Sequence, residues 1–442
     1  MTTQPSNTSP NSTNNTSNSF NGVPLAPAMQ ATLQQLGYLA MTSIQAAKLN
    51  PRRFSVQAMV LCPTRELADK ITQEIHRLTR SADNIKILTL CGGSTMRLQL
   101  SSLEHGAHIV VGTPGRILDH MELGTLNLEA LNTLVLNEAD RMLDMGFYED
   151  ITYVAKRCPA ERQTLLFSAT YPDGVTRLAR QFMRKPQEVK LLEQHQETKI
   201  RQRFYKVEET QRLQEVAVLL KHYRPVSTLA FCNTKQQCRS LLEALHAQGV
   251  KALTLNGDMD QRERNQVLIQ FANRSCTVLV ATDVAARGLD IDKLGMVINF
   301  EVTPDPEIHL HRIGRTVRAD QNGWALTLCG PTDRNRIITI AKSMRIEPEW
   351  HELDEIKNDD QTPLVPPMIT LQILGGRKEK IRAGDVLGAL TGDAGYTREQ
   401  VGKITVTEFS TYVAVDRNIA HEAVRKLTAG KVKGKTVKVH AL

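Results

Sequence analysis

The chain has 442 residues, 41% of them hydrophobic and 23% charged, which suits a soluble globular protein of two or three domains and excludes a collagen, a coiled coil and a wholly disordered chain. Lys and Arg number 55 against 47 Asp and Glu, a net charge of +8, so any basic surface depends on clustering. Aromatic residues make up only 5%, which argues against a protein that works mainly by stacking bases on aromatic platforms.

Residues 2–19 contain only Thr, Gln, Pro, Ser and Asn and read as a disordered tail, with order beginning near Phe20. No secretory layout and no apolar run of membrane length occurs, so a cytoplasmic protein without a membrane span is expected. The seven cysteines include no C-x-x-C pair and read as small buried hydrophobes in a reducing compartment, with no metal site.

From residue 57 to 345, short apolar runs alternate with helical stretches. The first series is Ala58–Cys62, Ile85–Cys91, His108–Val111, Leu134–Leu136 and Thr164–Phe167. The second is Thr228–Cys232, Ala252–Leu255, Thr277–Ala281, Met296–Phe300 and Ala325–Cys329. Such runs, separated by helices, predict buried parallel strands. The polar, aperiodic stretch near 193–207 divides them into two α/β domains, 20–195 and 200–345. A proline-bearing linker, 346–367, leads to a third unit, 368–442, whose pattern is β-α-β-β-α-β, the ferredoxin-like order used by RNA-recognition domains. Residues 375–442 hold 13 Lys/Arg against 7 Asp/Glu, so a net +6 sits in the last sixth of the chain.

Polar motifs punctuate the strand ends. Leu134-Val-Leu-Asn137-Glu138-Ala-Asp140 places carboxylates at the carboxyl edge of a parallel sheet, where α/β ligand sites lie. Others are Pro63-Thr-Arg65-Glu66-Leu, Thr113-Pro-Gly-Arg116, Ser168-Ala-Thr170, Ala281-Thr-Asp283-Val-Ala-Ala-Arg287-Gly-Leu-Asp290 and His311-Arg-Ile-Gly-Arg315-Thr-Val-Arg318. Singly, each could be a helix cap or a solvated strand end. In this order they resemble the DEAD-box RNA helicases of superfamily 2, over residues 20–345, and the basic C-terminal unit resembles the RNA-binding domain of the DbpA subfamily.

That resemblance implies two tandem RecA-like domains plus an RRM-like domain, ATP and Mg²⁺ as cofactors, and RNA as partner, specifically ribosomal RNA and particles of large-subunit assembly, bound by a monomer. Gly37-Tyr38 and Ser43-Ile-Gln45 look like the adenine-reading motif, with Gln45 reading the base and Phe20 packing near it; a simple hydrophobic anchor is the alternative for Phe20. The resemblance assigns Glu138 to the hydrolytic water and has Asp140 and His311 link the nucleotide site to Ser168, Thr170 and the second domain. Arg315 and Arg318 become arginine fingers and Asp290 a ribose contact. Arg65, Thr113, Gly115, Arg116, Gln261, Arg264 and Thr282 become RNA-backbone contacts, and Arg382, Lys431, Lys433 and Lys435 carry the basic RNA-binding face.

Two features depart from the family. Pro63 follows Gln45 by only 18 positions, where the family has a helix, a strand, the glycine-rich phosphate loop and another helix; no G-x-x-x-x-G-K-[ST] occurs in the chain. Asn137 stands where the family has Asp, and an amide carries no charge for Mg²⁺. Loss of a central strand should expose two interior edges, or force its neighbours to close the gap, and leave the first domain strained or loosely packed. Three readings stay open: a helicase with impaired ATP hydrolysis, a non-catalytic ribosomal-RNA-binding pseudohelicase, or an active helicase whose coding sequence lacks a segment between Ala47 and Lys48.

Overall fold

The computed structural model describes residues 49–79, 84–189, 200–286, 294–316, 323–356 and 362–442. Chain contacts divide it into two units near residue 191.

In the first unit, β1 (Ala58–Leu61), β2 (Ile87–Leu90), β3 (Ile109–Gly112), β4 (Thr133–Asn137) and β5 (Gln163–Phe167) form one parallel sheet, ordered β2-β3-β1-β4-β5. Alternate residues face opposite layers. Met59, Leu61, Leu134 and Leu136 pack with Ile117, Met142, Ile151 and Leu178, whereas Ala58, Val60 and Val135 pack with Ala68 and Ile75. Each fully buried aliphatic side chain contributes roughly 1.5–3 kcal/mol, and both faces are filled. Among the described strands the sheet is continuous, with β1 pairing with β3 on one side and β4 on the other, and the apolar β5 stands at its edge. The core is not loose. The least buried strand of this sheet is β5, whose residues are exposed or half-buried and which, among the described residues, has no partner beyond β4.

The second unit holds seven strands, β6 (Ile200–Lys206), β7 (Thr228–Cys232), β8 (Ala252–Leu255), β9 (Val278–Thr282), β10 (Met296–Asn299), β11 (Gly323–Cys329) and β12 (Trp350–Glu352), in the order β12-β6-β11-β10-β7-β9-β8, all parallel. Two were not expected. β6 begins inside the polar stretch near 193–207, and β12 lies inside the proline-bearing segment 346–367. β6 qualifies because Phe204 and Tyr205 are buried, the Tyr205 and Tyr223 hydroxyls bond at 2.7 Å, and Arg203 donates to the Tyr223 hydroxyl at 2.8 Å.

The same unit carries the C-terminal antiparallel sheet, β13 (Met368–Ile373), β14 (Val401–Val406), β15 (Thr411–Asp416) and β16 (Val439–Ala441), ordered β14-β15-β13-β16. Helices Ala383–Gly388 and Ala420–Ala429 supply Val386, Ala423 and Leu427 to a core against Leu371, Ile373, Val413 and Val415. This is the β-α-β-β-α-β order predicted. It packs on the seven-stranded domain through buried Thr370, whose hydroxyl meets Asn273 Nδ2 at 3.1 Å and Ser275 Oγ at 2.6 Å. All seven cysteines are free and buried.

Candidate functional site

Because the strands of each α/β sheet are parallel, the segments that follow them gather at one carboxyl edge. In the first unit, Thr64 follows β1 and caps the helix Arg65–Leu78 by accepting from the Leu67 N–H at 3.4 Å. Thr113 follows β3 at the start of the helix Pro114–Glu122, with proline at its first position, where no amide hydrogen is missed. Asn137 ends β4, and Glu138 opens the helix Ala139–Asp144 with φ 51° and ψ 57°. That left-handed conformation costs a non-glycine residue on the order of 1–3 kcal/mol, and such outliers concentrate at functional sites.

Asp140, Ser168 and Thr170 are brought together. Buried Asp140 accepts at Oδ2 from the Thr170 N–H (3.0 Å) and hydroxyl (2.9 Å), and at Oδ1 from the Arg141 N–H (3.0 Å). The Asp140 N–H donates to Ser168 Oγ at 3.2 Å, and that hydroxyl donates to the Thr170 carbonyl at 2.6 Å. The end of β4 is thereby tied to the end of β5. Cys62 lies near Glu138, and burial pushes its thiol well up, with Cys91 and Glu138 adding to the shift.

A second cluster joins the ends of β1, β2 and β3. Arg65 Nε lies 3.7 Å from Asp69, while its Nη1 is buried and makes no hydrogen bond. Arg116 donates to the Ser94 carbonyl (3.1 Å), Gln99 Oε1 (2.8 Å) and Asp119 (3.1 Å). Gln99 also donates to the Cys91 carbonyl at 3.0 Å and meets buried His120 at 2.9 Å. Burial, then the Arg116 charge, lowers the His120 pKa. Gly115 has open space where a Cβ would stand. Gln99 and His120 were not anticipated; their signal was a polar residue on the inward stripe of each helix.

In the second unit, the helix Gln261–Ala272 starts at a capping box on Asp260, and Gln261 donates to Asn265 at 2.9 Å. Arg264 donates to the Ala285 carbonyl at 2.8 Å, joining this helix to the segment after Thr282. His311 is half-buried on the helix Pro306–Ile313, and Arg315 is half-buried just beyond it. Between them lies Arg312, 1% exposed, which no role had been given. It grips Asp283 with two bonds (2.8 and 2.7 Å) and donates to Asn233 Oδ1 (2.9 Å) and the Glu301 carbonyl (3.0 Å). One guanidinium thus locks the ends of β7, β9 and β10 together. Phe20, Gln45, Asp290 and Arg318 lie outside the described residues.

In the C-terminal domain, Arg382 heads the helix Ala383–Gly388, and its N–H donates to Asp385 at 2.7 Å. The turn 432–435 has positive φ at Lys433 (54°) and Gly434 (75°), as a tight hairpin turn requires. Lys433 donates to the Lys380 carbonyl and lies 3.7 Å from Asp385; Lys435 donates to the Glu379 carbonyl at 3.1 Å. Arg382, Lys433 and Lys435 therefore converge on the loop 376–382, and Lys431 is exposed beside the turn. Gly376 makes this assembly possible: a Cβ there would fall 2.5 Å from the Thr407 carbonyl oxygen and 2.7 Å from that of Glu408.

Among the described residues, none is placed to hold a nucleotide phosphate together with Mg²⁺. Leu49–Gln57, the described end of the shortened segment, packs at the amino edge of the sheet: Gln57 Nε2 donates to the Asn50 (2.9 Å) and Arg53 (2.8 Å) carbonyls, and His108, before β3, meets the Pro51 carbonyl at 3.1 Å. Asn137, Glu138 and Asp140 stand at the opposite edge. Among the described residues, no three Asp, Glu, His or Cys side chains converge to hold a metal.

Family models match in the same order as the domains: DEAD/DEAH box helicase over residues 31–178, helicase conserved C-terminal domain over 210–320, and DbpA RNA binding domain over 370–441. The chain is 45% identical to the ATP-dependent RNA helicase DbpA of Escherichia coli, covering 95% of this chain and 98% of that one. It is 34% identical to the ATP-dependent RNA helicase DbpA of Bacillus subtilis, over 87% and 84%. Among solved structures, S. cerevisiae Dbp5 bound to RNA and ADP BeF3 superposes with TM-score 0.67 at 26% identity, over 77% of this chain and 97% of that one. No helix of the described residues is long and apolar enough to cross a membrane. Members of this family use ATP and Mg²⁺, and the chain belongs to it: it is a DEAD-box RNA helicase of the DbpA type.

Proposed function

We propose that this chain grips RNA as a DbpA-type helicase does but that its ATP hydrolysis and unwinding are impaired. The observation that carries this reading is the path of the shortened segment: its described part, Leu49–Gln57, packs at the amino edge of the sheet, so that among the described residues it supplies no backbone N–H groups at the carboxyl edge to cradle phosphates. Asn137 in place of a carboxylate points the same way. The retained groups, Arg65, Thr113, Gly115 and Arg116 in the first domain and Gln261, Arg264 and Thr282 in the second, suit contacts to an RNA backbone, which give affinity without sequence information. Glu138, Asp140, Ser168, Thr170, His311, Arg315 and Arg318 keep the residue types of the catalytic motifs. Sequence choice falls to the basic C-terminal domain, through Arg382, Lys431, Lys433 and Lys435. The partner by family is large-subunit ribosomal RNA in pre-ribosomal particles, met by a cytoplasmic monomer.

The test is ATP turnover at millimolar ATP and saturating RNA. No RNA-stimulated hydrolysis is expected. Turnover at the rate of an intact helicase would overturn the reading and favour the enzyme. Inserting a phosphate loop with its strand, together with Asn137→Asp, should restore hydrolysis if the remaining motifs are sound. Deleting residues 368–442 should remove most RNA affinity, independently of ATP.

A further inference from the structure

The C-terminal domain has the β-α-β-β-α-β order of RNA-recognition domains, which commonly stack bases on aromatic residues of the sheet. Here the sheet offers little for that. Tyr412 is the only phenyl, phenol or indole ring on β13–β16; it is 5% exposed, and its hydroxyl accepts from Gln372 Nε2 at 3.3 Å. Thr370, on the same outer face, is fully buried against Asn273 and Ser275 of the preceding domain. The domain's other tyrosine, Tyr396, is also buried.

One ring remains. Phe409 is 58% exposed at the tip of the β14–β15 hairpin, a position fixed by the Thr407 hydroxyl donating to the Ser410 carbonyl at 2.7 Å. A single exposed ring is ordinary in itself, but it offers an apolar π-face that a partner could cover. Its surroundings are cationic. Lys378 Nζ lies 4.2 Å from the ring centroid and 3.2 Å from Glu408, and the Arg377 and Lys378 N–H groups donate to the Thr407 (2.9 Å) and Glu408 (3.1 Å) carbonyls. The same loop, at Glu379 and Lys380, receives Lys435 and Lys433 on its carbonyls. A ring beside a lysine-lined loop matches a base beside its phosphates: the ring takes the π-face and the lysines take the negative charge.

We propose that Phe409 is a stacking site for an unpaired RNA base, with Lys378 and the Lys433–Lys435 turn holding the flanking phosphates. This deepens the RNA-binding reading above and rests on it. The test uses the full chain and a short unstructured oligoadenylate RNA carrying one 2-aminopurine, titrated by fluorescence at several salt concentrations. Phe409→Ala should weaken binding ~5- to 10-fold and reduce the quenching that stacking gives. Phe409→Leu, which keeps apolar bulk without the π-face, should behave like Ala, and Phe409→Tyr should retain binding. The slope of affinity against salt should stay unchanged in all three, because no phosphate contact is removed, and should fall in Lys433→Gln. Unchanged affinity of Phe409→Ala would overturn the proposal and leave Phe409 to a protein partner. Full binding by Phe409→Leu would also overturn it. If the parent chain fails to bind the oligonucleotide, the proposal goes together with the RNA-binding reading; unchanged Phe409→Ala removes the proposal alone.

Discussion

The two α/β domains share one plan, yet they end their sheets differently. In the second, the outer strand next to β6 is β12, three residues long, with exposed Trp350 and Glu352. An edge only three residues long offers little for other chains to pair with. In the first, the outer strand next to β4 is β5, Gln-Thr-Leu-Leu-Phe, apolar and half-exposed. A sequence of interior character thus stands at an edge. Among the described residues, the first domain thus combines a well-packed core with an apolar edge strand.

The networks at the two carboxyl edges differ in the same sense. The second domain centres on an arginine, Arg312, 1% exposed and bonded to three segments. The first centres on a carboxylate, Asp140, bonded to two. Asp283→Ala should therefore have the largest effect. It strands a buried guanidinium and should cost about 3–5 kcal/mol, read from urea unfolding; a loss under 1 kcal/mol would show that Asn233 and Glu301 suffice. Thr170→Val removes one hydrogen bond to the Asp140 carboxylate and should cost about 1.5–3 kcal/mol in the first domain, leaving the second domain's transition in place. If both transitions move together, the domains do not unfold independently and the contrast fails.

Acidity separates the domains less strongly. Burial, reinforced by Arg312, lowers the His309 pKa to about 4. Its unfolded value, near 6.5, is higher, so the unfolded chain takes up a proton first. The stability from neutral His309 is complete above pH 6.5 and is lost as pH falls toward 4, at up to ~1.4 kcal/mol per pH unit. His309→Leu should flatten that slope in the second domain; an unchanged slope would assign it elsewhere. The smallest effect on stability belongs to β5. Thr164→Lys should change it by less than about 0.5 kcal/mol yet slow aggregation on warming, followed by light scattering. An unaltered rate would mean that β5 is not the adhesive edge.

Most of this fold was legible because a buried parallel strand announces itself as a continuous apolar run. Ten runs in residues 58–329 predicted ten strands. β6 escaped because Ile-Arg-Gln-Arg-Phe-Tyr-Lys mixes charge with its two buried rings, and β12 because three residues carry no period. The association of Asp140 with Ser168 and Thr170 could be expected from motif order, since successive parallel strands deliver their ends to one edge. Arg312 was not legible. A charged residue between His311 and Ile313 reads as surface until the partners that neutralise it, 11 to 79 residues away in sequence, are in place. Scarcity hid Phe409: a chain with few aromatics gives no reason to single one out.

Gly376 has a consequence for inheritance. Since the hairpin carbonyls of Thr407 and Glu408 sit where its side chain would be, the loop 376–382 and the hairpin 407–410 fit only as a matched pair. An insertion in either, or any larger residue at 376, shifts the other. The backbone of these two stretches, 25 positions apart in the chain at their nearest ends (407 − 382), must therefore vary together or not at all, while the side chains at the hairpin tip are free to change. Lineages can alter what the tip offers to RNA without rebuilding the basic loop beneath it.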